Sequence, residues 1–120
     1  MDLPVDQAID RVTAALKEQG FGVLTRIDVH QVLAAKIGVQ IPPYVILGAC
    51  NPQLAHRAIA ADGQIGLLLP CNVLVQANTT GGTTVTFADP TVMGAMTGNP
   101  AMGPLMADAE ARLRAVLAAL

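Results

Sequence analysis

Two amphipathic helical patterns bracket this chain, and the stretches between them read as short strands joined by turns. Near the start, Val5, Ala8, Ile9, Val12 and Leu16 recur at the three- and four-residue spacing of one apolar helix face. Asp6, Asp10, Arg11, Lys17 and Glu18 fall mainly off that stripe. Near the end, Leu105, Ala109, Leu113, Val116 and Leu117 repeat the pattern. There Asp108 with Arg112 and Glu110 with Arg114 are spaced as i,i+4 ion pairs. Each stripe must be buried against something, and helix, strands, helix in that order point to an α+β sandwich in which both helices cover one face of a sheet.

The first helix is predicted over residues 4–19, with Pro4 in its first turn and Gly20 just past its end. A strand follows from Phe21 to Ile27, then a short helix over 30–37 stopped by Gly38. Pro42-Pro43 forces an extended entry into the strand Tyr44–Ala49, which is apolar on both faces until Gly48. Asn51 is a good N-cap and Pro52 a good first helical residue for a helix running to about Ala61. Ile65 to Gln76 reads as the longest strand, with a bulge or an edge expected at Pro70, which has no N–H for a ladder. Asn78-Thr79-Thr80-Gly81-Gly82 turns the chain into a return strand, Thr83–Phe87. Residues 91–104, with three Gly, two Pro and three Met, read as a soft loop before the closing helix over 105–119. The expected sheet is mostly antiparallel, and residues 1–120 form one domain.

Composition narrows the function classes. Apolar residues make up 52% and charged residues 13%, which excludes disorder. Aromatics are 2%, so the core is built of Leu, Val, Ile, Ala and Met. The net charge is −2, with no basic run and few rings to stack on bases, so no nucleic-acid partner is expected. The most apolar stretch, Ile65 to Ala77, is interrupted by Pro70, Asn72 and Gln76 and is shorter than the roughly 20 residues a spanning helix needs, so no membrane partner is expected. The N-terminal residues lack the pattern of a signal peptide, and the expected compartment is the cytoplasm, with both cysteines as free thiols.

Those cysteines stand in two segments that echo each other. Val45-Ile46-Leu47-Gly48-Ala49-Cys50-Asn51-Pro52 and Leu67-Leu68-Leu69-Pro70-Cys71-Asn72-Val73 each lead an aliphatic run into a Cys-Asn pair, 21 positions apart. At these segments the chain resembles the family numbered 302 among the domains of unknown function. Gly20-Phe21-Gly22-Val23-Leu24-Thr25, Lys36-Ile37-Gly38-Val39 and the Asp89-Pro90 turn with the Met-containing loop after it extend the resemblance over almost the whole chain. The resemblance implies a β-α-β(4)-α fold with small inserted helices, and a homodimer. This chain departs from it at the start: Met1 to Leu3 leaves room for only a stub of the first strand, so that strand is short or absent, or the sheet edge is completed by another molecule.

Residue chemistry suggests where a site would lie. Cys50 precedes a helix N-terminus, where partial positive charge favours a thiolate, and Cys71 follows the Pro70 interruption. Against this, free cysteine is among the most buried residue types, and Asn51 has a capping role ready to hand. The leading expectation is a small dimeric binding protein with an apolar pocket near Cys50, Asn51, Cys71 and Asn72, roofed by Met93 and Met96 of the loop. The ligand would be a small molecule, a soft metal ion or a non-covalent haem, with Cys50, Cys71, His30 and His56 as the metal candidates. No paired-cysteine zinc spacing and no CxxCH haem-attachment motif is present. Two alternatives stand beside it: a thiol redox enzyme with Cys50 as nucleophile and Cys71 as its resolving partner, and a structural dimer module with no ligand. No GxSxG, P-loop or dinucleotide fingerprint supports another enzyme class.

Overall fold

A computed structural model describes residues 1–120. The elements in chain order are α1 (Val5–Glu18), β1 (Gly22–Asp28), α2 (Val29–Ile37), β2 (Tyr44–Cys50), α3 (Pro52–Ala61), a 3₁₀ turn (Gly63–Leu68), β3 (Cys71–Ala77), β4 (Thr83–Phe87), α4 (Pro90–Ala95) and α5 (Met102–Ala118). The four strands form one sheet in the order β1-β2-β3-β4, every neighbouring pair antiparallel. This is the expected α+β sandwich, with α1 and α5 on one face.

Strand alternation divides the sheet cleanly. Val45, Leu47 and Ala49 of β2 and Val73 and Val75 of β3 point to the helix-covered face and are buried. They meet Ala8, Val12 and Leu16 of α1 and Leu113 and Val116 of α5 in the main core. A second cluster joins Leu54 and Ala58 of α3 to Ile65 and to Met102, Leu105, Met106 and Ala109 at the start of α5.

Two stretches differ from the sequence expectation. Residues 65–68 are not strand but belong to the 3₁₀ turn, and β3 begins only at Cys71. Asp62 accepts the Gln64 N–H at 2.9 Å and Leu69 N–H donates to Gly66, so local bonds win over a ladder that Pro70 cannot join. The residues read as a loop contain α4, and the closing helix starts at Met102. Asp89 accepts the Thr91 N–H at 2.9 Å with Pro90 at the first helical position, the same start signal that Asn51-Pro52 gives α3. The stub is real but minimal: Met1 exchanges two main-chain hydrogen bonds with Thr83 on the outer side of β4, and the Thr83 hydroxyl donates to the Leu3 carbonyl at 2.7 Å.

Candidate functional site

The two Cys-Asn corners lie at one end of the sheet on neighbouring strands. Ala49 stands opposite Cys71 and Gly48 opposite Asn72. Cross-strand partners share a face, so Cys71 lies on the helix-covered side with Ala49. Asn72 lies with Gly48 on the other side, and alternation along β2 sends Cys50 there too. The corners converge, but the two thiols point to opposite faces. Burial raises the thiol pKa at both positions, and at Cys71 the charge of a Cys50 thiolate raises it further. Desolvation therefore outweighs any thiolate stabilisation from the start of α3.

Asn51 is buried and fully employed. Its side-chain oxygen accepts the Leu54 N–H at 3.2 Å, capping α3, and its amide donates a long bond of 3.5 Å to the Gln19 carbonyl. Arg112 donates to that same carbonyl at 3.2 Å, so the end of α1 is tied to α3 and to α5. Gly20 turns beside it with φ +80, and a Cβ there would sit 3.0 Å from the Asn51 amide.

Asn72 is exposed and borders an open hollow of about 330 Å³ with Leu67–Pro70, Ala88 and Met93. Met96 is 71% exposed and stands outside it. Neither cysteine stands on the wall of this hollow. His30 lies at the far end of β2, about 20 Å from Cys50 at the ordinary rise per strand residue. Its Nδ1 lies 3.0 Å from the Tyr44 nitrogen and 3.2 Å from the Tyr44 carbonyl oxygen, so the ring is held against the start of β2. His56 is exposed on α3. The structure brings no three His, Cys, Asp or Glu side chains together where they could hold a metal ion, and the donor set does not fit a four-ligand centre.

The feature that residue chemistry passed over is the other face of the sheet. Ile27, Ile46, Leu74 and Thr86 form one row straight across all four strands. Thr25, Gly48 and Asn72 flank it on one side, and Tyr44, Gln76 and Thr84 on the other. No Asp, Glu, Lys or Arg stands at any of these positions. Ile27 is 47% exposed, and of the whole set only Gly48 is buried. The signal was present in the sequence as a strand apolar on both faces, which antiparallel sheets with one wet face do not carry.

The whole chain, residues 1–120, matches the family described as "Domain of unknown function DUF302". The chain belongs to the DUF302 family. A solved DUF302 protein from Bacillus stearothermophilus, itself uncharacterised, superposes with a TM-score of 0.90 at 35% identity, covering 98% of this chain and 91% of that one. Among curated proteins, the fluoride-specific ion channel FluC 1 of Brucella suis is 34% identical over 86 residues, which is 72% of this chain and 34% of that protein. The protein of the same name from Brucella abortus matches at the same identity over 32% of its length. This DUF302 chain thus spans about a third of the length of the curated relatives it matches, and it contains no helix long and apolar enough to cross a membrane.

Proposed function

We propose that this DUF302 chain is an association module that works as a homodimer, with the uncovered sheet face as the surface where two copies meet. One observation carries the reading: an uncharged face with Ile27, Ile46 and Leu74 in a row at its centre lies opposite the face that α1 and α5 cover, with Pro70 packed over Gly48 at its margin. Interface cores are depleted of charge and polar toward their rims, and this face has that arrangement. A two-fold axis sets each patch against its own copy, and a face with no charge meets no like charge across it. The dimensions agree. The molecule is 42 × 33 × 20 Å, its short axis the depth of one helix layer on one sheet. Its radius of gyration is 15.3 Å, against about 14 Å for a compact 120-residue domain. The apolar helix α2, which buries none of its residues, adds to the surface in need of cover. A stretch that forms a third of the Brucella proteins also suits a module better than a self-contained enzyme. A cytoplasmic setting belongs to the same reading, since both cysteines are unpaired thiols.

Sedimentation of the wild-type chain at micromolar concentration should give a dimer. Leu74→Glu and Ile46→Glu should each give a monomer with an unchanged far-UV spectrum, because those side chains touch no core. A wild-type chain that stays monomeric at every concentration overturns the reading.

A second reading rests on the hollow beside Asn72. Its wall of Leu67–Pro70, Ala88 and Met93 has one exposed amide, the mixture of apolar surface and a single polar anchor found in small-ligand sites. An absorption spectrum and elemental analysis of protein from its own host separate the candidates. A Soret band, a soft metal ion or a bound organic molecule would each support a ligand; protein free of all three would leave the association module alone. The thiol-enzyme reading is supported least, with both thiols held protonated by burial and aimed to opposite faces.

A further inference from the structure

The uncharged face has two distinct corners, and strand register fixes where they lie. β1 ends at Asp28 and β2 begins at Tyr44, so α2 joins that end of the sheet on the β1–β2 side. An open depression runs from Ile27 of the face to Val32, Ala35 and Lys36 of α2, which places those side chains on the Ile27 side of the sheet. Arg26 and Asp28 beside them are already paired at 3.0 Å. The hollow beside Asn72 lies at the opposite end, where β3 begins and Ala88 follows β4, on the β3–β4 side. Ile46 and Leu74 stand opposite each other at the centre. Tyr44 is two residues from it along β2 in one direction, and Asn72 is two residues from it along β3 in the other. The α2 corner and the Asn72 corner are therefore diagonal, with the centre between them.

The two corners also complement each other in chemistry. Val32 and Lys36 are one turn apart on α2, so an exposed aliphatic side chain and an exposed cation share one helix face, and Lys36 has no ion-pair partner in its own chain. The hollow is walled by Leu67–Pro70 and Met93, with Leu67 83% exposed. The charge next to it is Asp89, exposed and in no ion pair, because the neighbouring Arg114 is held by Glu110 at 2.9 Å. We infer that in the dimer proposed above α2 of each copy seats on the Leu67–Met93 hollow of the other, with Val32 and Ala35 against the leucines and Met93 and with Lys36 at the partner's Asp89. A two-fold axis lying in the face, perpendicular to the line that joins the corners, exchanges them. The contact then occurs twice, once at each end of the interface, and Ile46 and Leu74 meet their own copies at its centre. The docking rests on the dimer reading and adds to it the register in which the two copies meet. It also gives cover to α2 and to the exposed leucines, the two apolar surfaces that the chain leaves bare at the ends of this face.

Charge complementation in the full chain tests the register. Val32→Lys and Leu67→Glu both fall on exposed positions, so each variant should keep the wild-type far-UV spectrum. Each alone puts an unpaired charge into both symmetric contacts and should weaken dimerisation by about tenfold or more in sedimentation. Mixed one to one, the two variants should form a heterodimer more stable than either homodimer by about tenfold or more, because one contact is then wild type and the other pairs the new lysine with the new glutamate. Val32→Lys mixed with Leu74→Glu should recover nothing, since Leu74 lies at the centre and not at the far corner. A wild-type dimer that both corner substitutions leave unchanged overturns the docking and leaves the dimer standing. Failure of the corner pair to recover on mixing, or equal recovery with Leu74→Glu, overturns the docking as well. A wild-type chain that is monomeric at every concentration overturns both.

Discussion

At the residue scale, the polar groups of the Cys-Asn corners act mainly as joints. Asn51 caps α3 and touches the end of α1, so Asn51→Ala should cost about 1 kcal/mol in urea unfolding through loss of the cap. An Asn51→Asp variant, which keeps the accepting oxygen, should recover most of that loss. The thiols make a prediction with a definite sign. A thiol whose folded pKa is raised stabilises the fold below its unfolded pKa, and that contribution is lost as pH climbs through the folded value. Wild-type stability should therefore fall above the ordinary thiol range, and Cys71→Ala should flatten that alkaline decline. Alkylation by iodoacetamide should be slow at neutral pH at both cysteines; fast labelling of Cys50 there would favour the thiol-enzyme reading instead. His30 was a metal candidate by residue type alone. Its bond to Tyr44 makes it a brace between α2 and β2, and His30→Ala should cost about 1 kcal/mol.

At the element scale, close approach decides what several glycines do. A Cβ on Gly48 would collide with the Thr25 hydroxyl and lie 2.8 Å from Pro70, so Gly48→Ala forces β1 or the turn before β3 away from β2. Thermal unfolding should show a loss of about 1–3 kcal/mol, the ordinary cost of overpacking. Gly94 performs the same service between helices, where a Cβ would meet Met106 of α5. Helix starts, hairpin turn and strand alternation were legible in sequence because they depend on neighbours in the chain. The missed start of α4 had its signal, Asp89-Pro90, masked by the glycines and prolines that follow. The misread stretch 65–68 is an apolar run, and hydrophobicity does not distinguish a buried strand from a turn that packs Ile65 into a side cluster.

At the scale of the molecule, the controlling fact is that the two long helices, α1 and α5, cover the same face of the sheet. The consequence is the dimer proposed above, and it extends to stability. If the uncovered face is buried between copies, thermal stability should rise with protein concentration for the wild type and be independent of concentration for Leu74→Glu. A wild-type midpoint that ignores concentration would place the partner elsewhere. The candidate site changes meaning at this scale as well. Two adjacent Cys-Asn corners look like one constellation until strand register sends Cys50 and Asn72 to one face and Cys71 to the other.

The sequence by itself determined the number and type of most elements, the apolar stripes of α1 and α5, and the four strands between them, because periodicity and capping are local properties. Family membership was legible from the same segments. Tertiary structure alone decided which strands are neighbours, that the thiols lie on opposite faces, that His30 is far from them, and that α1 and α5 share one face of the sheet. Those facts depend on register between segments distant in the chain, and a shift of one residue in register would exchange every side chain between the two faces.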